Sequence, residues 1–162
     1  MNVSVLGYCW EHNPRRGLGD HPYLKYYTPP LELCGVNMSI NHLAVKINDW
    51  VIHPLTKGFN QTNTSWVKEK VSLRVFGTPK EELFMGSTTK LLHEIVEFVD
   101  SVKLAEWSAY LWFYTFGLYK NKRDCIYFTK ELLHFCLGIE KGVCLTPYNY
   151  FKEISNHGYG SA

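Results

Sequence analysis

Alternating apolar and polar positions predict a two-strand hairpin between residues 41 and 55. The apolar positions that carry the pattern are Leu43, Val45, Ile47, Val51 and Ile52. Between the two runs stands Asn48-Asp49, a pair that suits a tight turn because both residues tolerate positive φ and bond their own backbone. The pattern therefore predicts antiparallel strands over 41–47 and 50–55.

Further strands are predicted in three other stretches. Residues 71–76, VSLRVF, place Val and Leu on one face and Ser and Arg on the other. Apolar runs at 3–7 and 23–27 also favour strands, and Gly and Pro divide the chain around them into turns. An antiparallel sheet is predicted to contain at least 41–47, 50–55 and 71–76.

After residue 79 the apolar positions take the spacing of helices. A short helix is predicted to start within 80–85. A second carries apolar residues from 91 to 99, and a Ser or Thr within 87–89 can cap it. The aromatic-rich segment 106–119 and the segment 124–138 are the remaining helices. The chain is therefore predicted to be an α+β protein whose sheet packs against the helix of 124–138.

Length and composition indicate one globular domain over residues 1–162. With 162 residues, 46% of them hydrophobic, the chain can bury a sizeable core and is too apolar to be disordered. Its formal net charge is only +2, and it has no run of five or more basic residues. Nucleic acid is therefore not expected as a partner.

No targeting segment and no transmembrane segment is predicted. Residues 1–13 lack the basic start and the long apolar stretch of a signal peptide. The apolar segment 107–118 is too short and too rich in Tyr to span a bilayer. A cytoplasmic location is expected.

The five cysteines show neither a disulfide pattern nor a zinc pattern. They are Cys9, Cys34, Cys125, Cys136 and Cys144, an odd number without a CxxC pair. Neither a disulfide framework nor a structural zinc site is predicted, and reduced thiols are expected.

Cys125 lies in the first turn of a predicted helix. Unpaired backbone N–H groups and the helix dipole favour a thiolate there, and the thiolate is the reactive form of the side chain. The backbone N–H of Cys125 can also donate to a developing oxyanion. The alternative is that Cys125 is a small buried hydrophobic residue.

Two histidines mark the ends of the predicted hairpin. His42 and His53 are eleven positions apart, yet antiparallel strands joined by a tight turn bring their far ends together. With Cys125 as nucleophile, His42 would take the thiol proton and His53 would hold the His42 imidazole in the right tautomer. Two alternatives stay open: ordinary strand-end histidines, and a zinc site formed by all three residues.

The order of these residues resembles circularly permuted papain-like proteins, the permuted NlpC/P60 group with its lecithin:retinol acyltransferase-like and YiiX-like members. The first motif of that group is a His, an aliphatic hairpin with Asp or Asn and Gly at its turn, and a second His. Residues 42–53 match it as HLAVKINDWVIH. The second motif is a small polar residue followed by a Cys that opens a helix, here Asp124-Cys125. Trp50 replaces the turn Gly of the group, Asp124 replaces its Asn, and the resemblance covers about 37–138.

The resemblance implies a cysteine hydrolase or acyltransferase that works through an acyl-enzyme. Cys125, His42 and His53 would be its catalytic residues, with no cofactor and no metal. Substrates in the group include peptide bonds, cell-wall peptides and lipid esters. Because no membrane anchor is visible, a peptide, isopeptide or cell-wall peptide substrate is favoured.

The small sequence, with 15% aromatic residues, resembles a bacteriophage product. That would place the protein in the host cytoplasm or in the virion, in contact with other virion or host proteins. The alternative function is non-enzymatic, because a fold does not fix its function. The chain would then be a structural or binding protein on the same scaffold, such as a virion component.

Overall fold

The structure, a computed structural model, describes the hairpin and the strands and helices around it. It describes residues 1–9, 35, 37, 39–55, 63–68, 78–104, 118 and 123–157. The strands are β1 (Asn2–Tyr8), β2 (His42–Ile47), β3 (Trp50–Leu55), β4 (Asn63–Lys68) and β5 (Glu81–Ser87), and the helices are α1 (Leu92–Ser101), α2 (Cys125–Leu137) and α3 (Pro147–Asn156). The predicted α+β class is confirmed for this part of the chain.

The five described strands form one antiparallel sheet in the order β4-β3-β2-β1-β5. β2 and β3 are the two arms of the predicted hairpin, and Val45 lies opposite Ile52 across it. Asn48, in the turn, has a φ of 49°, the left-handed conformation that Asn adopts more readily than most residues. β1 confirms the strand predicted at 3–7.

The sheet has two faces, and each carries its own buried cluster. Successive side chains of a strand point to opposite faces, and directly opposed residues of neighbouring strands share a face. On one face Val5, Val45 and Ile52 belong to the main hydrophobic cluster, together with residues of all three helices. We call this the helix face. The other, which we call the Tyr8 face, carries a separate buried cluster of Leu6, Tyr8, Ala44 and Val51.

Helix α2 covers the hairpin, as predicted for 124–138. The Asp124 side chain caps its N-terminus, and Gly138 ends it with a φ of 69°, a conformation in which glycine meets no steric penalty. Phe128 and Leu132 are fully buried, and the helix packs on β2 and β3. Because burying a side chain of this size contributes about 1.5–3 kcal/mol, these two residues anchor α2 on the helix face.

The segment 80–85 is a strand and not the start of a helix, so that prediction is wrong. β5 spans Glu81–Ser87 and pairs with β1, with Leu83 opposite Val5. Glu, Leu and Met are good helix formers, and for this reason the local sequence favoured a helix. The backbone hydrogen bonds to β1 make this segment a strand, because strand formation depends on the neighbouring strand more than on propensity.

Helix α1 forms where it was predicted, but no Ser or Thr of 87–89 caps it. Its N-cap is Leu91, whose backbone N–H donates to the Glu94 carboxylate at 2.7 Å. The Thr88 hydroxyl instead donates to the Cys136 carbonyl oxygen at 2.8 Å. Thr88 therefore ties the end of β5 to the end of α2.

Helix α3 is an element that the apolar pattern did not predict. Pro147 is its first residue, and the Thr146 hydroxyl accepts the backbone N–H of Asn149 at 3.3 Å. A Thr-Pro pair is a helix-start signal, and the buried Tyr150 and Ile154 are four positions apart, the helical spacing. The signal was present, although the apolar pattern predicts no element after residue 138.

Three predicted elements lie outside the described residues. They are the strands at 23–27 and 71–76 and, apart from residue 118, the helix over 106–119. Among the helices that the structure describes, none has the length and apolar character that crossing a membrane requires.

Candidate active site

The hairpin brings the two predicted histidines into contact. His42 is the first residue of β2, and His53 lies within β3. His42 Nε2 and His53 Nδ1 are 3.1 Å apart, a hydrogen-bonding distance. His42 is 6% exposed and His53 is fully buried. The expectation that the hairpin places these side chains together is confirmed.

The two imidazoles meet edge to edge. Their planes are within 7° of parallel, and their centroids are 5.3 Å apart, farther than the two nitrogens. The rings therefore lie nearly in one plane, with the lone pair of one nitrogen directed at the N–H of the other. In a neutral pair one imidazole donates and the other accepts, so the contact selects complementary tautomers.

Burial keeps His53 neutral near pH 7. Removal from water disfavours the imidazolium form and lowers the pKa of His53 from 6.5 to about 3. A neutral His53 can orient His42 through their hydrogen bond and does not compete with it for a proton. This is the behaviour required of an orienting group.

Cys125 is the first residue of α2 and is half-buried. The Asp124 carboxylate accepts the backbone N–H groups of Ile126 and Tyr127, each at 3.1 Å. These two donors of the first turn are therefore engaged by a side chain that also carries negative charge. The helix terminus favours a thiolate at Cys125, and the adjacent carboxylate opposes it.

His42 stands at the start of β2, at one end of the sheet. At the other end, the N-terminal ammonium group of Met1 donates to the Thr88 carbonyl oxygen at 2.9 Å, and the Thr88 hydroxyl bonds Cys136 near the end of α2. That end holds the start of β1 and the hairpin turn. The end of α2 therefore lies at the end of the sheet opposite to His42.

The imidazole pair and Cys125 lie on different faces of the sheet. His42 lies directly opposite Tyr8 in the β1–β2 register, so its side chain is on the Tyr8 face. Cys125 packs against the main cluster, on the helix face. The structure thus brings His42 and His53 together, and Cys125 packs on the opposite face of the sheet. The thiol–imidazole contact stays a prediction.

The other described cysteines differ from Cys125 in their surroundings. Cys136 is buried, and this burial raises the pKa of its thiol to about 11. The pKa of the Cys144 thiol is also raised, by burial first and then by Glu153. Cys9 is exposed at the end of β1. Among these, Cys125 alone stands at the start of a helix.

The zinc alternative has no matching group of side chains among the described residues. The described residues, which include Cys125 and both histidines, contain no group of three or more His, Cys, Asp or Glu side chains arranged to hold a metal ion. The two imidazoles instead use a nitrogen each to bond one another.

Tyr8 is a member of the site that the motif did not reveal. Its ring lies against both imidazoles, with centroids 5.9 Å from His42 and 5.3 Å from His53. The sequence shows only that Tyr8 is two positions after Leu6, so that both side chains share a face if this segment is a strand. Which strand pairs with that run, and in what register, is not encoded locally.

The fold and the site define an α+β protein with a histidine pair built into a helix-covered antiparallel sheet. In a comparison with known proteins, no protein-family model, no curated protein and no solved structure matches the chain.

Removing the charge of Asp124 is expected to make the Cys125 thiol more acidic. Asp124→Asn keeps an oxygen that can cap α2 but removes the carboxylate that repels a thiolate. Asp124→Ala removes the cap as well and is expected to cost about 1 kcal/mol of stability. The measurement is the pH dependence of Cys125 alkylation, read on its own peptide by mass spectrometry. A higher thiol pKa in Asp124→Asn would contradict this placement of the charge.

Proposed function

We propose that the protein is a cysteine hydrolase, a peptidase or amidase, that works through an acyl-enzyme. Cys125 is its nucleophile, His42 its general base and His53 the residue that orients His42. The observation that carries the proposal is the buried contact between His42 Nε2 and His53 Nδ1 at 3.1 Å. A base held by a second hydrogen-bonding group is the arrangement that activates a thiol.

The contact also assigns roles to the nitrogens of His42. Because Nε2 faces His53, Nδ1 is the nitrogen that takes the proton of the Cys125 thiol. The thiolate attacks the substrate carbonyl, and the leaving amine takes the proton from His42, which leaves a thioester on Cys125. Water, deprotonated by His42, then cleaves the thioester and regenerates the thiol.

The start of α2 supports the role of Cys125. Its dipole favours the thiolate, and the backbone N–H of Cys125 is suited to donate to the oxyanion of the intermediate. We further propose a permuted papain-like scaffold, a peptide, isopeptide or cell-wall peptide substrate, and a bacteriophage setting in which virion or host proteins are partners.

A second candidate is a non-enzymatic structural or binding protein on the same scaffold. It is favoured because Cys125 and the two imidazoles lie on different faces of the sheet. In that case the histidine pair is a buried polar contact that specifies the hairpin, and Cys125 packs as a small apolar residue.

The pH dependence of thiol alkylation separates the two candidates. In the hydrolase, iodoacetamide should modify Cys125 with a half-maximal rate well below pH 8.5, in the range of about 3.5–7.5 seen for thiols at helix starts and beside histidine. Cys9, which is exposed, is the internal reference, and each cysteine is read on its own peptide.

Cys136 would be a poor reference, because a thiol pKa of about 11 already suppresses its reaction at pH 7. If Cys125 and Cys9 follow the same pH profile, Cys125 is not activated. The binding protein is then the better account.

A further inference from the structure

One aromatic ring contacts both members of the imidazole pair. The Tyr8 ring makes interplanar angles of 50° with His42 and 55° with His53, at centroid distances of 5.9 Å and 5.3 Å. These are the distances and tilts of favourable aromatic contacts. Tyr8 is 1% exposed, so the contact is made inside the protein and not at its surface.

The backbone holds Tyr8 in register with the pair. Tyr8 is the last residue of β1 and lies directly opposite His42. Its carbonyl oxygen accepts the backbone N–H of Asn41 at 2.9 Å, one residue before the start of β2. A side chain on a paired strand is placed more rigidly than one on a loop, so the Tyr8 ring can form a fixed packing surface for the two imidazoles.

The hydrogen bond between the imidazoles depends on the orientation of both rings. The bond weakens steeply when the N–H and the lone pair leave a common line. Rotation of either ring about its Cβ–Cγ bond would break this alignment or exchange a nitrogen for a carbon. The tilted Tyr8 ring touches both imidazoles and opposes rotation of each.

We propose that Tyr8 is a positioning residue for the imidazole pair: its ring fixes the plane, and through it the tautomer, of His42 and His53. The ring and not the hydroxyl is assigned this role, because the two ring contacts carry the inference. Its catalytic meaning rests on the proposed function, whereas its effect on the two imidazoles does not.

Nuclear magnetic resonance of isotope-labelled histidine tests the proposal without turnover. Long-range proton–nitrogen correlation spectra report which nitrogen of each imidazole carries the proton. At pH 7 the wild-type protein should show one tautomer at His42 and one at His53. Tyr8→Leu should lose the single tautomers, and Tyr8→Phe, which keeps the ring, should retain them.

A matched control removes apolar volume without removing the ring. Leu6→Ala shortens a side chain of the same cluster, two positions earlier on the same strand, and should leave both tautomers unchanged. Single tautomers in folded Tyr8→Leu would overturn the proposal. If Tyr8→Leu does not fold, Tyr8→Phe still decides, because mixed tautomers in that variant would overturn the assignment to the ring.

Alkylation of Cys125 in the same variants separates this proposal from the proposed function. If His42 activates Cys125, Tyr8→Leu should slow alkylation at pH 7 about tenfold or more, since small misplacements of a catalytic group have large effects. Lost tautomers with an unchanged alkylation rate would support Tyr8 as a positioning residue and contradict His42 as the base for Cys125.

Discussion

Replacement of His42 by glutamine is expected to slow acylation of Cys125 by about 10²-fold or more, the typical contribution of a general base. The amide nitrogen of glutamine can still donate towards His53, so the buried contact is partly kept. The amide cannot accept the thiol proton, so the variant lacks the base of the proposed mechanism. The probe is p-nitrophenyl acetate, whose coloured product reports the rate and whose acetyl group is located on the Cys125 peptide by mass spectrometry.

Two further variants define what the result means. Cys125→Ala should remove the labelled peptide altogether. His53→Asn should slow acetylation less than His42→Gln, because in the proposed mechanism His53 only orients the base. A Cys9→Ser background removes the thiol that is exposed among the described cysteines and would otherwise contribute to the colour. Equal acetylation of Cys125 in wild type and His42→Gln would show that no dyad operates.

The parts of the fold predicted correctly are those that neighbouring residues determine. The hairpin follows from two short apolar runs around Asn48-Asp49, and α2 follows from a cap, an apolar stripe and a terminal glycine. β5 could not be predicted in this way, because its residues favour a helix and only pairing with β1 makes them a strand.

The sequence contained more about the site than the motif used. Side chains at the odd positions of β2, which are Leu43, Val45 and Ile47, point to the face of the sheet opposite to His42. A helix that packs on these apolar residues therefore lies across the sheet from the His42 imidazole. The hairpin argument considered which ends of the strands meet but not which face each side chain takes. The contact of Tyr8 with the imidazole pair could not be predicted from the sequence, because it depends on how β1 pairs with β2.

Acidification is expected to destabilise the fold by about 2–3 kcal/mol between pH 7 and pH 4.5 through His53. Burial lowers the folded-state pKa of His53 to about 3, while the unfolded chain keeps a value near 6.5. The stabilisation is therefore fully present above pH 6.5 and is lost as pH falls towards 3, by about 1.4 kcal/mol per pH unit. Urea unfolding at a series of pH values measures it.

His53→Gln and His93→Gln form the matched pair that isolates this effect. His93 is exposed on α1, so its replacement should leave the pH dependence of the wild type intact. His53→Gln should be less stable at pH 7, because it disturbs a buried hydrogen bond, and a buried partner left unsatisfied costs about 1–3 kcal/mol. It should nevertheless lose about 2–3 kcal/mol less on acidification. Parallel curves for His53→Gln and wild type would mean that water or a charge reaches this imidazole in the folded protein, and the edge-to-edge neutral pair would have to be abandoned.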